Sequence, residues 1–354
     1  MATLENDEIM LHEILNQPRA WAATIEAMTA QAAGLRALVS DVDDIVLTGC
    51  GSGLNAATAI APVLQSITGV RARAVPAAEM VFFPETVFVK RTRCLVVAIS
   101  RSGATTETVQ ARDVASGRGM PTLGITCHPD SPLARTSDAA LVLDAANEAS
   151  VTTTQSLTSM VLAGQVLAAL IAGDGAYLDQ LRQLPDLGSR LLDHCHDLGR
   201  TIGADPTLTK FAFVGSGVGL GLAREGQLKI KEMTLLPSDA YPILDFRHGP
   251  KSNVDEHMLI TVLSTDRTRR IELEFLAEMR GLGGRQLLLC ERADGALRAH
   301  ADWVVEVESG LPDFARDILF MLPIHFLAYY KSLSLGLSPS TPTNLSYWVA
   351  TQSL

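Results

Sequence analysis

Short apolar runs recur along the chain, and most end on glycine or on a cluster of hydroxyls. In DDIVLTGCGSG (43–53), Ile45–Leu47 runs into Gly49, Gly51 and Ser52, and AATAIAPVLQSITG follows at helical spacing. This reads as strand, tight turn, helix. VRARAVPAAEM is a second strand leading into a short helix. RCLVVAIS is a third strand, with TTETVQARDVASGRG as its helix. PTLGITC and AALVLDA are the fourth and fifth, and between them Asp130 and Ser131 are suited to cap a short helix. SVTTTQSLTSMVLAGQVLAALIAG closes this half as a long helix with Ala, Leu and Val inward. Residues 8–38 read as helices with long apolar faces. Strands alternating with helices predict an α/β fold, its parallel sheet covered on both sides.

The pattern then repeats. KFAFVGSGVGLGLAREGQLKIKEMT (210–234) echoes the first strand–turn–helix, and Gly215 opens its turn 166 residues after Gly49. HMLITVLSTD (257–266) echoes RCLVVAISRSG, RQLLLCERAD echoes PTLGITCHPD, and DWVVEVES echoes AALVLDAA. A tandem duplication follows, each copy a five-stranded parallel sheet flanked by helices, a flavodoxin-like three-layer sandwich. The expected organisation is N-terminal helices (1–38), a first domain (39–175), a helical bridge (176–204), a second domain (205–338) and a tail (339–354). QLPDLGSR is the most linker-like piece of the bridge. The second copy has lost the hydroxyl cluster of the first: STDRTRR replaces SRSGATTET.

Composition narrows the function. With 354 residues, 47% hydrophobic and 5% aromatic, the chain suits tightly packed α/β layers. Its formal charge of −10 argues against nucleic-acid binding, yet a local site can still oppose that sign. Five scattered cysteines without a C-x-x-C pair suggest a reduced, cytoplasmic setting. No uninterrupted run of 18 apolar residues is present, so no membrane span is expected. His194 and His196 lie two apart, on different sides of a helix, and read as surface residues; neither metal nor organic cofactor is expected.

Candidate chemistry gathers in VVAISRSGATTET (96–108). In an open parallel sheet, ligands sit at the carboxyl ends of strands. Ser100 lies at such an end, and the next helix begins near Thr105. Unpaired N–H groups at a helix start, with the hydroxyls of Ser100, Ser102 and Thr105, would form a cradle for phosphate. The Gly49–Gly53 turn and SVTTTQS (150–156) bring further donors to neighbouring strand ends. A dinucleotide fold fits less well: GCGSGLNA reads G-x-G-x-G, and GSGVGLG fails at its sixth position.

SRSGATTET resembles the S-x-S-G-x-T phosphate loop of sugar isomerase (SIS) domains. With LKIKEMT and FRHGPKS, the tandem arrangement resembles the isomerase half of the glucosamine-6-phosphate synthase family and its deaminase and deglycase relatives. The resemblance implies that Ser100, Arg101, Ser102 and Thr105 hold the sugar phosphate. Ser52 falls on the first Gly-rich turn of the substrate site, and Val151 and Thr153 on the segment that would line the sugar. Glu232 would move a proton between C1 and C2, with Lys229 near the reacting carbons. His248 would open the ring, reaching in from a partner subunit, which implies a homodimer with shared sites. Tyr347 stands where the synthases carry a lysine, so no Schiff base forms there, and the tail would close the site. Arg101 in place of the synthases' glutamine, and Lys251 after H-G-P, look more like the deaminase branch. Met1 is followed by Ala2, and no glutaminase domain precedes residue 8, so ammonia is not expected to come from glutamine.

The residue types suit that chemistry. A partly desolvated carboxylate can carry a proton between adjacent carbons. Histidine titrates near neutrality, and flanking Arg247 and Lys251 would favour anions and press its ring toward the neutral form. The expected activity is therefore an isomerase/deaminase acting on an amino-sugar 6-phosphate. Deglycation of a fructosamine 6-phosphate is the alternative enzyme, and a non-catalytic phosphosugar sensor the alternative class.

Overall fold

The computed structural model describes residues 2–39 and 42–349, with side chains from residue 7. The chain divides into two compact units. One comprises Asn16–Pro185 with the segment from Ser346 onward; the other comprises the segment up to Leu15 with Asp186–Leu345. They are called here the first-sheet unit and the second-sheet unit.

The first sheet contains β1 (Asp44–Gly49), β2 (Arg71–Pro76), β3 (Cys94–Ile99), β4 (Thr122–Thr126) and β5 (Ala139–Val142), in the order β2-β1-β3-β4-β5. Every pairing is parallel. β1 and β3 are buried along their whole length, as strands covered on both faces must be. The second sheet contains β6 (Lys210–Gly215), β7 (Ser238–Tyr241), β8 (Met258–Leu263), β9 (Arg285–Cys290) and β10 (Trp303–Glu306). Its order is β10-β9-β8-β6-β7, the same topology.

Register equates the two copies. Gly49 lies opposite Ile99, and Gly215 opposite Leu263. Ser100 and Ser264 are thus equivalent first residues beyond the sheet. Gly51 (φ 52°) and Gly217 (φ 60°) are also equivalent, each in the left-handed region just before a helix, where only glycine is unstrained. The strand order reverses between β1 and β3, and between β6 and β8. This is the crevice where open α/β sheets take ligands.

Local detail adds to this reading at three places. QLPDLGSR, the most linker-like piece, is helical: it opens the helix Leu184–Gly203, with Pro185 in the first turn, where a missing N–H matters least, and the two units divide between Pro185 and Asp186. SDAY forms β7 without any apolar run, because this edge strand needs only the hydrogen bonds of β6. The helix Gln155–Ala172 is long and apolar enough to cross a membrane by length and composition. However, 89% of it is buried within the protein, as befits a core helix. Gly164 lets it approach the helix Ser52–Thr68 closely: a Cβ there would lie 2.4 Å from Ile60 Cγ2.

Candidate active site

The loop after β3 is held from below and open above. Ser100 N–H donates to Ile125 O, while Arg101 O accepts from Cys127 N–H and the Thr126 hydroxyl. Gly103 turns back with φ 60°, and a Cβ there would sit 2.2 Å from Ser131 Oγ, so glycine is required twice over. Ser131 also caps the short helix Pro132–Thr136 by accepting from Ala134 N–H, as anticipated. Within the loop, Ser100 Oγ lies 3.0 Å from Thr105 Oγ1 and 3.4 Å from Ser102 Oγ. Gly103 N–H and Ala104 N–H donate to Ser100 Oγ and Ser102 Oγ. The helix Thr106–Ser116 begins here with no side-chain cap. Its first N–H groups and a ring of hydroxyls thus share one turn, a geometry suited to a dianion.

The β1–α turn presses against the base of this loop. A Cβ on Gly49 or Gly53 would meet Ile99 O at 2.8 or 2.5 Å. That contact delivers Ser52 beside the end of β3, and Thr153 Oγ1 donates to Ser52 Oγ at 2.9 Å. The 147–154 turn is fixed by buried Glu148, whose carboxylate accepts from the Thr154 N–H and hydroxyl and from the Ser156 hydroxyl.

Arg101 departs from the expectation that it faces phosphate. It is 7% exposed, and Nη1 donates to Ser150 O while Nη2 donates to Val151 O and Tyr347 O. Its guanidinium also lies 3.8 Å from the centroid of the Tyr347 ring. Ser52, Ser100, Ser102, Thr105, Val151, Thr153 and Tyr347 therefore belong to one unit, and Arg101 binds three of its segments together.

The second-sheet unit carries the acid–base candidates. Glu225, Lys229 and Glu232 lie on one face of the helix Val218–Thr234. Lys229 Nζ is 3.1 Å from Glu225 Oε1 and 2.7 Å from Glu232 Oε2. Glu225 and Lys229 are fully buried, whereas the Glu232 side chain is 21% exposed. Burial works against the Lys229 ammonium, but the two carboxylates outweigh it and its pKa is raised. Glu225 was missed from sequence; two acids at i−4 and i+3 around one lysine were the available signal. Buried His325 lies near Lys229. Burial first, then Lys229, lowers its pKa to about 3, so the ring is neutral.

His248 is exposed on the turn after the helix Ile243–Phe246, and among the described residues nothing hydrogen-bonds its ring. Its flanking cations are both engaged by one carboxylate. Arg247 Nε and Lys251 Nζ each lie 2.7 Å from Glu278, whose pKa is lowered by Lys251 first and Arg247 after burial is opposed. His194 is exposed, but His196 is only half so; its Nε2 engages the Tyr330 hydroxyl and its ring packs on Phe326, correcting the surface assignment. Among the described residues, no three His, Cys, Asp or Glu side chains group as a metal site.

The second copy has not lost its hydroxyls. Ser264 and Thr268 donate to the buried Glu272 carboxylate, and Thr265 N–H donates to the same group at 3.0 Å. The equivalent cradle is filled by the protein's own anion.

Known proteins agree with this architecture. The chain is 26% identical over 353 residues to a glutamine–fructose-6-phosphate aminotransferase (isomerizing) of Methanothermobacter thermautotrophicus, covering 98% of this chain and 58% of that protein. It thus spans little more than half the length of that curated relative. Tagatose-6-phosphate ketose/aldose isomerase from Escherichia coli superposes with TM-score 0.86 at 27% identity, covering 94% of each chain. Glucosamine-6-phosphate deaminase from Thermotoga maritima gives TM-score 0.73 at 28% identity, covering 92% of this chain and 99% of that one. Residues 38–170 and 209–320 both match the SIS domain, and with the duplicated sheets and the hydroxyl loop this establishes that the chain belongs to the SIS domain family.

Proposed function

We propose that this protein is a phosphosugar isomerase that deaminates a 2-amino-2-deoxyhexose 6-phosphate. The observation that carries the reading is the uncapped helix Thr106–Ser116 behind the ring of Ser100, Ser102 and Thr105, which suits a phosphate dianion. Ser52, Val151 and Thr153 are the proposed sugar-lining positions, and the tail bearing Tyr347 closes the site. No metal or organic cofactor enters the scheme.

In this scheme His248 relays a proton from the anomeric hydroxyl to the ring oxygen, opening the ring. Glu232 takes the C2 proton and returns it to C1 while a proton passes from the nitrogen to O1, leaving an imine at C2. Water adds to that carbon, and ammonia leaves carrying both of the water's protons, giving a ketose 6-phosphate. Lys229 holds the Glu232 carboxylate at 2.7 Å, which supports a fixed base. The exposure of His248, without a hydrogen-bond partner for its ring among the described residues, supports its donation to a second copy in a homodimer. The likenesses to an aldose–ketose isomerase and to a deaminase support the two halves of the reaction. The first of them also favours a second reading, plain aldose–ketose isomerisation without nitrogen release.

A panel of hexose, amino-sugar and fructosamine 6-phosphates, assayed for ammonia and ketose phosphate, tests the proposal. Ammonia and ketose phosphate in equal amounts from an amino sugar are expected. Ketose without ammonia selects the second reading, and amino-acid release from a fructosamine overturns the first. Glu232→Gln should lower turnover by roughly 10²–10⁴, as expected for removal of a general base, and leave substrate binding intact. Unchanged turnover rules out Glu232 as the base.

A further inference from the structure

Arg101 sits between the two serines of the phosphate-type loop, yet its terminal nitrogens serve other partners. Both Nη2 hydrogens are taken by Val151 O and Tyr347 O, and Nη1 donates to Ser150 O. Its remaining charged neighbour is Glu148, 3.7 Å from Nη1. Tyr347 is held at three points. Its ring lies under the guanidinium, its carbonyl accepts from it, and its hydroxyl donates to Glu148 O at 2.9 Å. That hydroxyl is also 3.2 Å from His128 Nε2, just beyond β4.

We propose that Arg101 is a positioning residue: it latches the C-terminal tail, through Tyr347, and the 150–151 turn onto the loop that takes phosphate, without being a phosphate ligand itself. This rests on the reading of that loop given above. The loop's main chain is pinned to β4 through Arg101 O, so the side chain leaves on the tail side while the Ser100 and Ser102 hydroxyls remain for the ligand. Phosphate in the loop and a docked tail then favour the same Arg101 geometry. A planar fork is required, because a lysine ammonium cannot serve three carbonyls and stack on a ring.

The test compares Arg101→Gln, Arg101→Lys and Tyr347→Ala with the full-length protein. Chymotrypsin cleavage after residues 347 and 348 reads tail docking. Trp348, 49% exposed beside Tyr347, supplies one of those sites. Calorimetric titration with glucosamine 6-phosphate reads the loop, and kcat and KM read the assembled site. A latch predicts cleavage about tenfold faster in all three variants, as for loss of one charge-assisted contact, and a fall in kcat. Affinity stays within about threefold, since no phosphate contact is lost. Arg101→Lys must behave like Arg101→Gln. Near-wild-type behaviour of Arg101→Lys, or a loss of affinity with unchanged cleavage, makes Arg101 a phosphate ligand and overturns the latch. If the unmodified protein does not bind the sugar phosphate, the functional reading fails, and the cleavage rates still decide the latch.

Discussion

The loops after β3 and β8 hold the same position in the same sheet topology, yet they treat an anion in opposite ways. In the first, the Ser100, Ser102 and Thr105 hydroxyls bond, among the described residues, only with one another and with nearby N–H groups. In the second, Ser264, Thr265 and Thr268 converge on Glu272. Eight residues beyond the strand-end serine, one copy has Glu272 and the other has Thr108, which turns toward Cys50 Sγ. Ser102 is matched by Asp266, which faces the buried guanidinium of Arg316. A strand end facing a helix start favours negative charge in both copies. In the second copy one acid, Glu272, supplies that charge; in the first, on the proposed reading, a ligand does.

The sharpest break is to write the second loop's acid into the first. Ser102→Asp places a carboxylate where the phosphate dianion is proposed to sit. Like charges at close range oppose binding by several kcal/mol, so hexose 6-phosphate affinity should fall by about 100-fold or more. Calorimetry reads this directly. Binding at wild-type strength in the variant would move the phosphate away from this loop.

The reverse change is smaller and falls on stability. Glu272→Ala leaves the Ser264 and Thr268 hydroxyls and the Thr265 N–H without their acceptor. Orphaning such buried donors destabilises by about 1–3 kcal/mol, which denaturant unfolding can measure. Burial raises the Glu272 pKa above 4.5, although the hydrogen bonds from Ser264, Thr268 and Thr265 and nearby Arg269 pull it back. A raised carboxyl pKa makes the native state bind more protons than the unfolded chain, so this group's stabilising contribution is lost as pH rises from 4.5 through the folded value. Glu272→Gln should remove that segment of the stability–pH curve. A curve unchanged by the substitution would show that Glu272 titrates as in the unfolded chain.

Much of this contrast was legible beforehand, because strands buried on both faces write themselves as apolar runs. The 166-residue repeat and the hydroxyl loop were read from that pattern. What escaped notice depends on long-range partners. Arg101 looked like a phosphate ligand because Tyr347, which redirects it, lies 246 residues away. The second loop was read as having lost its hydroxyls, because the strand-and-turn pattern does not show Glu272 folding back on Ser264 and Thr268. Glu225 went unnoticed, since a charged residue on a mixed helix gives no local sign that tertiary packing buries it.

That packing supplies the last contrast and the smallest effect. The first-sheet unit joins Ser52–Thr68 to Gln155–Ala172 through Gly164 and Ile60, an apolar contact. The second-sheet unit places His325 near Lys229 on the equivalent pair of helices. Both His325 ring nitrogens are buried without a hydrogen-bond partner among the described residues. Replacing the ring therefore breaks no buried hydrogen bond, and His325→Leu should change stability at pH 7 by less than about 1.5 kcal/mol. Acid separates the two proteins. The pKa falls from 6.5 unfolded to about 3 folded, so the unfolded chain binds a proton that the native state refuses. Stability linked to this group is complete above 6.5 and declines toward 3. The slope is about 1.4 kcal/mol per pH unit, so between pH 7 and pH 5 the wild type should lose about 2 kcal/mol more than His325→Leu. Parallel curves would mean that the imidazole accepts a proton in the native state. The neutral partner of the Glu225–Lys229–Glu232 cluster would then have to be sought elsewhere.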